Sequence, residues 1–119
     1  MIQIVSIGMN HRTAPVALRE CLARDLSNVQ RALDAMRESP AVREGLYLST
    51  CNRVEALCTT EAPVEAQRMI RSLFAEFGGM DAQALSESLY TLEGMESVRH
   101  VFKVASSLDS MIVGEPQIL

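Results

Sequence analysis

Cys51 stands in the run Ser49-Thr50-Cys51-Asn52-Arg53, just after a short apolar segment and two residues before a guanidinium. A loop position leaves a sulfur accessible. A neighbouring cation favours thiolate over thiol, and the thiolate is the nucleophile. The residues alone also allow a plainer reading, a small side chain that packs the loop. His100 falls in a segment of helical spacing. At about 100° per residue it lies roughly 40° beyond Val104, at the edge of an apolar face running from Val104 through Val101 to Phe102. An edge imidazole can reach a pocket while its helix stays anchored, although a half-buried surface histidine has the same spacing. His11, beside Arg12 in a polar loop, is either a ligand contact or a solvated residue. Cys51, Cys58, His11 and His100 offer metal-ligating atoms, but their spacings match no paired-ligand pattern, so no metal site is expected. Cys21 and Cys58 read as core. The stretch from Ser107 to Gln117 mixes acids, hydroxyls and an amide among apolar anchors, as a lined pocket does.

These residues need elements to position them. Residues 2–8 are apolar and β-branched and read as a strand ending at Gly8. A polar loop and a short amphipathic turn or helix at 17–23 follow. Ser27-x-x-Gln30 has the capping-box pattern, and Val29, Ala32, Leu33 and Met36 continue at helical spacing until Pro40 forces a stop near Ser39. Residues 45–49 and 54–59 read as strands, the second alternating Val54, Ala56 and Cys58 against Glu55, Leu57 and Thr59. Pro63 suits a helix first turn. Met69, Ile70, Leu73, Phe74 and Phe77 form its face, and Gly78-Gly79 ends it. A turn at 81–86, a strand at 88–92 and a helix opened by Gly94 complete the order. In that last helix Val98, Val101, Phe102, Ala105 and Leu108 share a face. The order β-α-β-β-α-β plus a helix is the split βαβ, ferredoxin-like arrangement: an α+β fold with an antiparallel sheet and helices on one side.

Composition narrows the classes. The chain has 119 residues, 48% hydrophobic and 22% charged, enough for one domain with a real core. No apolar run reaches the ~18 residues of a membrane span, so no membrane partner is expected. The formal charge of −4 gives no basic footprint for nucleic acid. Ten of the eleven cations are arginine, the residue suited to bidentate carboxylate and phosphate recognition. Three cysteines suit a reducing, cytoplasmic compartment rather than a disulfide framework. No G-x-G-x-x-G, G-x-x-x-x-G-K or H-E-x-x-H run is present.

Three separated blocks carry a resemblance. They are Gly8-Met9-Asn10-His11-Arg12-Thr13-Ala14-Pro15-Val16, Leu48-Ser49-Thr50-Cys51-Asn52-Arg53-Val54-Glu55, and the run from Arg99 to Leu119. In this order they resemble the amino-terminal catalytic domain of glutamyl-tRNA reductase. Ser107 stands where that family commonly has Gly, and Val54 where Thr is common. The resemblance implies NADPH-dependent reduction of glutamyl-tRNA to glutamate-1-semialdehyde, the first step of five-carbon tetrapyrrole synthesis. It implies Cys51 as the nucleophile that forms a thioester and His100 as a residue important for activity. It implies a substrate pocket of Thr50, Asn52, Arg53, Ser110, Glu115, Pro116 and Gln117. From charge, Arg53 would face the substrate carboxylate and Glu115 its α-amino group. The family continues into NADPH-binding and helical dimerisation domains, so residues 1–119 are expected to be one domain of a longer, homodimeric chain. Hand-off of the aldehyde to glutamate-1-semialdehyde aminomutase is the further partner implied. A stand-alone module that binds tRNA or a partner without reduction is the competing expectation.

Overall fold

The computed structural model describes residues 1–10, 12–15, 17–19, 26–50 and 53–105. Its strands are β1 (Gln3–Asn10), β2 (Glu44–Ser49), β3 (Arg53–Thr60) and β4 (Tyr90–Glu93). Its helices are α1 (Leu26–Glu38), α2 (Pro63–Gly78), the single turn α3 (Ala82–Leu85) and α4 (Met95–Ala105). The strands pair in the order β2-β3-β1-β4, every pair antiparallel. This is the expected ferredoxin-like α+β sheet, with β1 and β3 at its centre.

Strand alternation divides the sheet into two faces. On one, Val5, Ile7 and Met9 of β1 lie opposite Cys58, Ala56 and Val54 of β3. With Tyr47 they join Ala32 and Met36 of α1 and Ala66, Ile70, Phe74 and Phe77 of α2 in one buried core. Full burial of each large apolar side chain contributes about 1.5–3 kcal/mol. The other face presents Ser6, Gly8 and Asn10 opposite Leu57, Glu55 and Arg53. Helix α4 covers this second face, joined to it by a buried hydrogen bond between the Ser6 and Ser97 hydroxyls. The expected one-sided arrangement therefore holds for α1 and α2, and α4 lies across the sheet from them.

Local expectations fared unevenly. α2 has Pro63 in its first turn and ends at Gly79, whose φ of 63° is left-handed and suits a residue without Cβ. β1 does not stop at Gly8 but runs through it to Asn10. Ser27 lies inside α1, and the Gln30 amide donates to the Asp34 carboxylate at 2.8 Å. The last strand is Tyr90–Glu93, because Ser86–Ser88 form a 3₁₀ turn before it. The face of α4 is also rotated from the expected one. Ser97 is fully buried and Phe102 is 71% exposed. Apolar periodicity put Phe102 inward, but the polar anchors of α4 turn Ser97 and His100 toward the sheet.

Candidate functional site

The site lies where β1 and β2 end and β3 and β4 begin. Asn10 at the end of β1 pairs with Arg53, the first residue of β3, and Gly8 pairs with both Glu55 and Tyr90. Asn10 shapes the following loop: its Oδ1 accepts the N–H groups of Arg12 at 2.9 Å and Thr13 at 3.2 Å. The β2–β3 connection is closed by Thr50 N–H donating to the Arg53 carbonyl at 2.8 Å and Arg53 N–H donating to Thr50 Oγ1 at 3.1 Å. These two residues bracket Cys51 and Asn52. Covalent geometry alone holds the Cys51 Cα within about 7.6 Å of the Arg53 Cα.

Arg53 enters a buried polar cluster with Glu55, Tyr90 and His100. Its Nη1 donates to the Tyr90 hydroxyl at 2.8 Å and to Glu55 Oε2 at 3.3 Å. Tyr90 donates to Glu55 Oε2 at 3.0 Å. His100 Nε2 lies 3.0 Å from each Glu55 carboxylate oxygen and 3.1 Å from Arg53 Nη1. The Tyr90 and His100 rings meet edge-on at 5.2 Å. The Arg53, Glu55 and His100 side chains are 7%, 6% and 11% exposed. Burial of such charges is tolerated because each is paired and hydrogen-bonded. Burial and the Glu55 carboxylate push the Tyr90 phenol well above the usual tyrosine range, with Arg53 opposing, so Tyr90 is a neutral donor. Beside the cluster, Leu46, Leu48, Leu57, Val101 and Val104 line an apolar groove of about 160 Å³ that reaches Glu55.

The structure thus brings together Thr50, Arg53 and His100. Cys51, Asn52, Ser110, Glu115, Pro116 and Gln117 lie outside the described residues, as do His11, Cys21 and Leu108. Cys58 is buried in the core, and burial pushes its thiol up to about 11, which suits the inert role expected for it. Among the described residues no group of three acidic, histidine or cysteine side chains could hold a metal ion. Sequence reasoning missed Glu55 and Tyr90. Glu55 had one usable signal: Arg53-x-Glu55 places opposite charges on the same face of one strand. Tyr90 had none, because only the β1–β4 register brings it to the cluster.

A ferredoxin-like domain with an Arg–Glu–Tyr–His cluster at the first residues of β3, next in sequence to a cysteine, is the class of protein these features define. Residues 7–119 match the family model described as glutamyl-tRNAGlu reductase, N-terminal domain. The chain is 50% identical over 118 residues to a glutamyl-tRNA reductase of Syntrophus aciditrophicus, covering 98% of this chain and 28% of that protein. It is 47% identical over 120 residues to one of Syntrophobacter fumaroxidans, covering 100% of this chain and 26% of that one. The solved glutamyl-tRNA reductase from Methanopyrus kandleri superposes with a TM-score of 0.68 at 32% identity, covering 97% of this chain and 25% of that one. The chain belongs to the glutamyl-tRNA reductase family and matches its N-terminal domain. It spans little more than a quarter of the length of these relatives.

Proposed function

We propose that this chain is the thioester-forming domain of a glutamyl-tRNA reductase in tetrapyrrole synthesis. The observation that carries the reading is the buried cluster of Arg53 and His100 with Glu55, two residues along the chain from Cys51. The Cys51 sulfur attacks the glutamyl carbonyl carbon, the ester C–O bond breaks, and the tRNA ribose oxygen leaves with a proton. This exchanges an oxygen ester for a thioester, a better hydride acceptor, and so divides a difficult reduction into two steps. His100 assists the proton transfer. Thr50, Asn52 and Arg53 form one side of the pocket, with Arg53 toward the substrate carboxylate. Ser110, Glu115, Pro116 and Gln117 form the other, with Glu115 toward the α-amino group.

In this reading NADPH is the reductant of the whole enzyme. The described residues do not fit that cofactor. Their sheet is antiparallel throughout, so it lacks the crevice between parallel strands in which dinucleotides bind. The reduction step is therefore assigned to a further part of the enzyme, together with homodimer formation. The same reading makes glutamyl-tRNA the substrate, glutamate-1-semialdehyde aminomutase the recipient of the aldehyde, and the cytoplasm the compartment. No described helix is long and apolar enough to cross a membrane. The test is mass spectrometry of the chain after incubation with glutamyl-tRNA. A glutamyl adduct sensitive to added thiol is expected, and it is lost in Cys51→Ser. An adduct that survives Cys51→Ser overturns the assignment.

A further inference from the structure

The donors of the buried cluster can be matched to acceptors, and the two carboxylate contacts of His100 favour one tautomer. Arg53 Nη1 carries two hydrogens and has three groups in reach, the Tyr90 oxygen at 2.8 Å, His100 Nε2 at 3.1 Å and Glu55 Oε2 at 3.3 Å; the two oxygens can take both hydrogens. The Tyr90 hydrogen goes to Glu55 Oε2. Both carboxylate oxygens face His100 Nε2 at 3.0 Å. A bare Nε2 could accept from Arg53 Nη1 at 3.1 Å, but it would set its lone pair against both carboxylate oxygens at the shorter 3.0 Å inside a buried site, the costlier arrangement. With Nε2–H the hydrogens of Arg53 Nη1, the Tyr90 hydroxyl and Nε2 each have an oxygen acceptor. Glu55 then accepts from three side chains, within the capacity of a carboxylate's roughly four lone-pair sites.

The geometry points to Glu55 and Tyr90 as positioning residues that hold His100 in its Nε2–H tautomer, making Nδ1 the proton-accepting atom of the site. The inference rests on the thioester-forming reading above. In that reading the Cys51 S–H proton passes to Nδ1 as sulfur bonds the acyl carbon. The ester C–O bond breaks, and the ribose oxygen leaves with the proton that Nδ1 holds. Glu55 touches none of the reacting atoms; it acts through the imidazole, as second-layer carboxylates do elsewhere in setting which ring nitrogen carries the proton. Gly8 belongs to the same device. It lies between Glu55 and Tyr90 on the central strand, and a Cβ there would stand 2.5 Å from the Val54 carbonyl and 2.9 Å from Glu55 Cβ. The missing side chain is the gap across which the carboxylate and the phenol meet.

The tautomer can be read from this chain without any activity. Nitrogen-15 spectra of the neutral imidazoles, with the His100 signals assigned from the spectrum of His100→Asn, are expected to show a pyrrole-type Nε2 and a pyridine-type Nδ1. Glu55→Gln is expected to give a tautomer mixture. Tyr90→Phe, which keeps the carboxylate, is expected to retain Nε2–H. A pyridine-type Nε2 in the unaltered chain, or an unchanged tautomer in a folded Glu55→Gln, overturns the inference. Glu55→Gln is further expected to slow acylation of Cys51 by about tenfold or more, with the half-saturating glutamyl-tRNA concentration unchanged. A rise in that concentration at constant rate would assign Glu55 to substrate binding instead. Absence of acylation in the unaltered chain would defeat the thioester reading and leave the tautomer result standing.

Discussion

At the scale of single residues, two buried groups outside the site carry clear expectations. Tyr47 is 8% exposed and packs against Phe74 and Phe77 at ring separations of 6.1 and 6.4 Å. Among the described residues its hydroxyl has no hydrogen-bond partner, and burial pushes its ionisation well above the usual tyrosine range. A buried, unpaired hydroxyl costs about 1–3 kcal/mol. Tyr47→Phe keeps the ring contacts, so it is expected to leave stability unchanged or raise it by about 1 kcal/mol, read from urea denaturation. Cys58 is the second case. Its folded thiol ionises near 11 because of burial, against about 8.5 for an exposed thiol. The native state keeps a proton that the unfolded chain has lost, so stability falls as pH rises from about 8.5 toward 11. Cys58→Ala should flatten the decline of the denaturation midpoint over that window. The group is neutral on the acid side, so nothing comparable is expected of it below pH 8.

At the scale of elements, the contact of α4 with the sheet decides whether the site exists. Ser6 and Ser97 are both fully buried and bond each other. Ser97→Ala leaves one hydroxyl without a partner and is expected to cost about 1–3 kcal/mol. The Ser6→Ala, Ser97→Ala double variant removes both and is expected to recover most of that loss. A double-mutant cycle with strictly additive losses would show that the pair is not coupled. Gly8→Ala is harsher. The added Cβ meets the Val54 backbone at the centre of the sheet, and a cost toward the upper end of the 1–3 kcal/mol typical of overpacking is expected. These contacts also explain what the sequence could reveal. The α1 and α2 faces and the β2–β3 pair were legible because apolar period and helix-ending glycines are local signals. The orientation of α4 was not. Its buried stripe includes Ser97 and His100, and a polar residue reads as inward only when its partner across 91 residues is known. Arg53 and His100 were legible as chemistry-bearing types. Glu55 looked like the solvated side of an alternating strand, and Tyr90 depended on a register that no local pattern encodes.

At the scale of the whole molecule, charge bears on how this domain meets its proposed tRNA substrate. The formal charge is −4, and several cations are engaged within the domain. Arg31 bonds Glu76 at 2.5 Å, Arg43 approaches Glu61 at 3.4 Å, and Arg53 is buried against Glu55. Arg71 bonds the Thr91 hydroxyl. Affinity for a nucleic acid grows with the number of phosphates a protein neutralises, and that number sets the salt dependence. Guanidinium groups held on the domain's own carboxylates, as those of Arg31, Arg43 and Arg53 are, release few counterions. Uncharged tRNA is therefore expected to bind this chain only in the non-specific range, with Kd on the order of 10⁻⁴–10⁻⁶ M at physiological salt. The slope of log affinity against log salt should be shallow, corresponding to about two phosphates or fewer. Fluorescence anisotropy of labelled tRNA over a salt series measures both quantities. Submicromolar binding with a slope of about five or more would place a phosphate-tracking surface on this domain. Weak, shallow binding together with acylation of Cys51 would instead assign the domain to the acyl end of the substrate and leave the grip on the tRNA body to other parts of the enzyme.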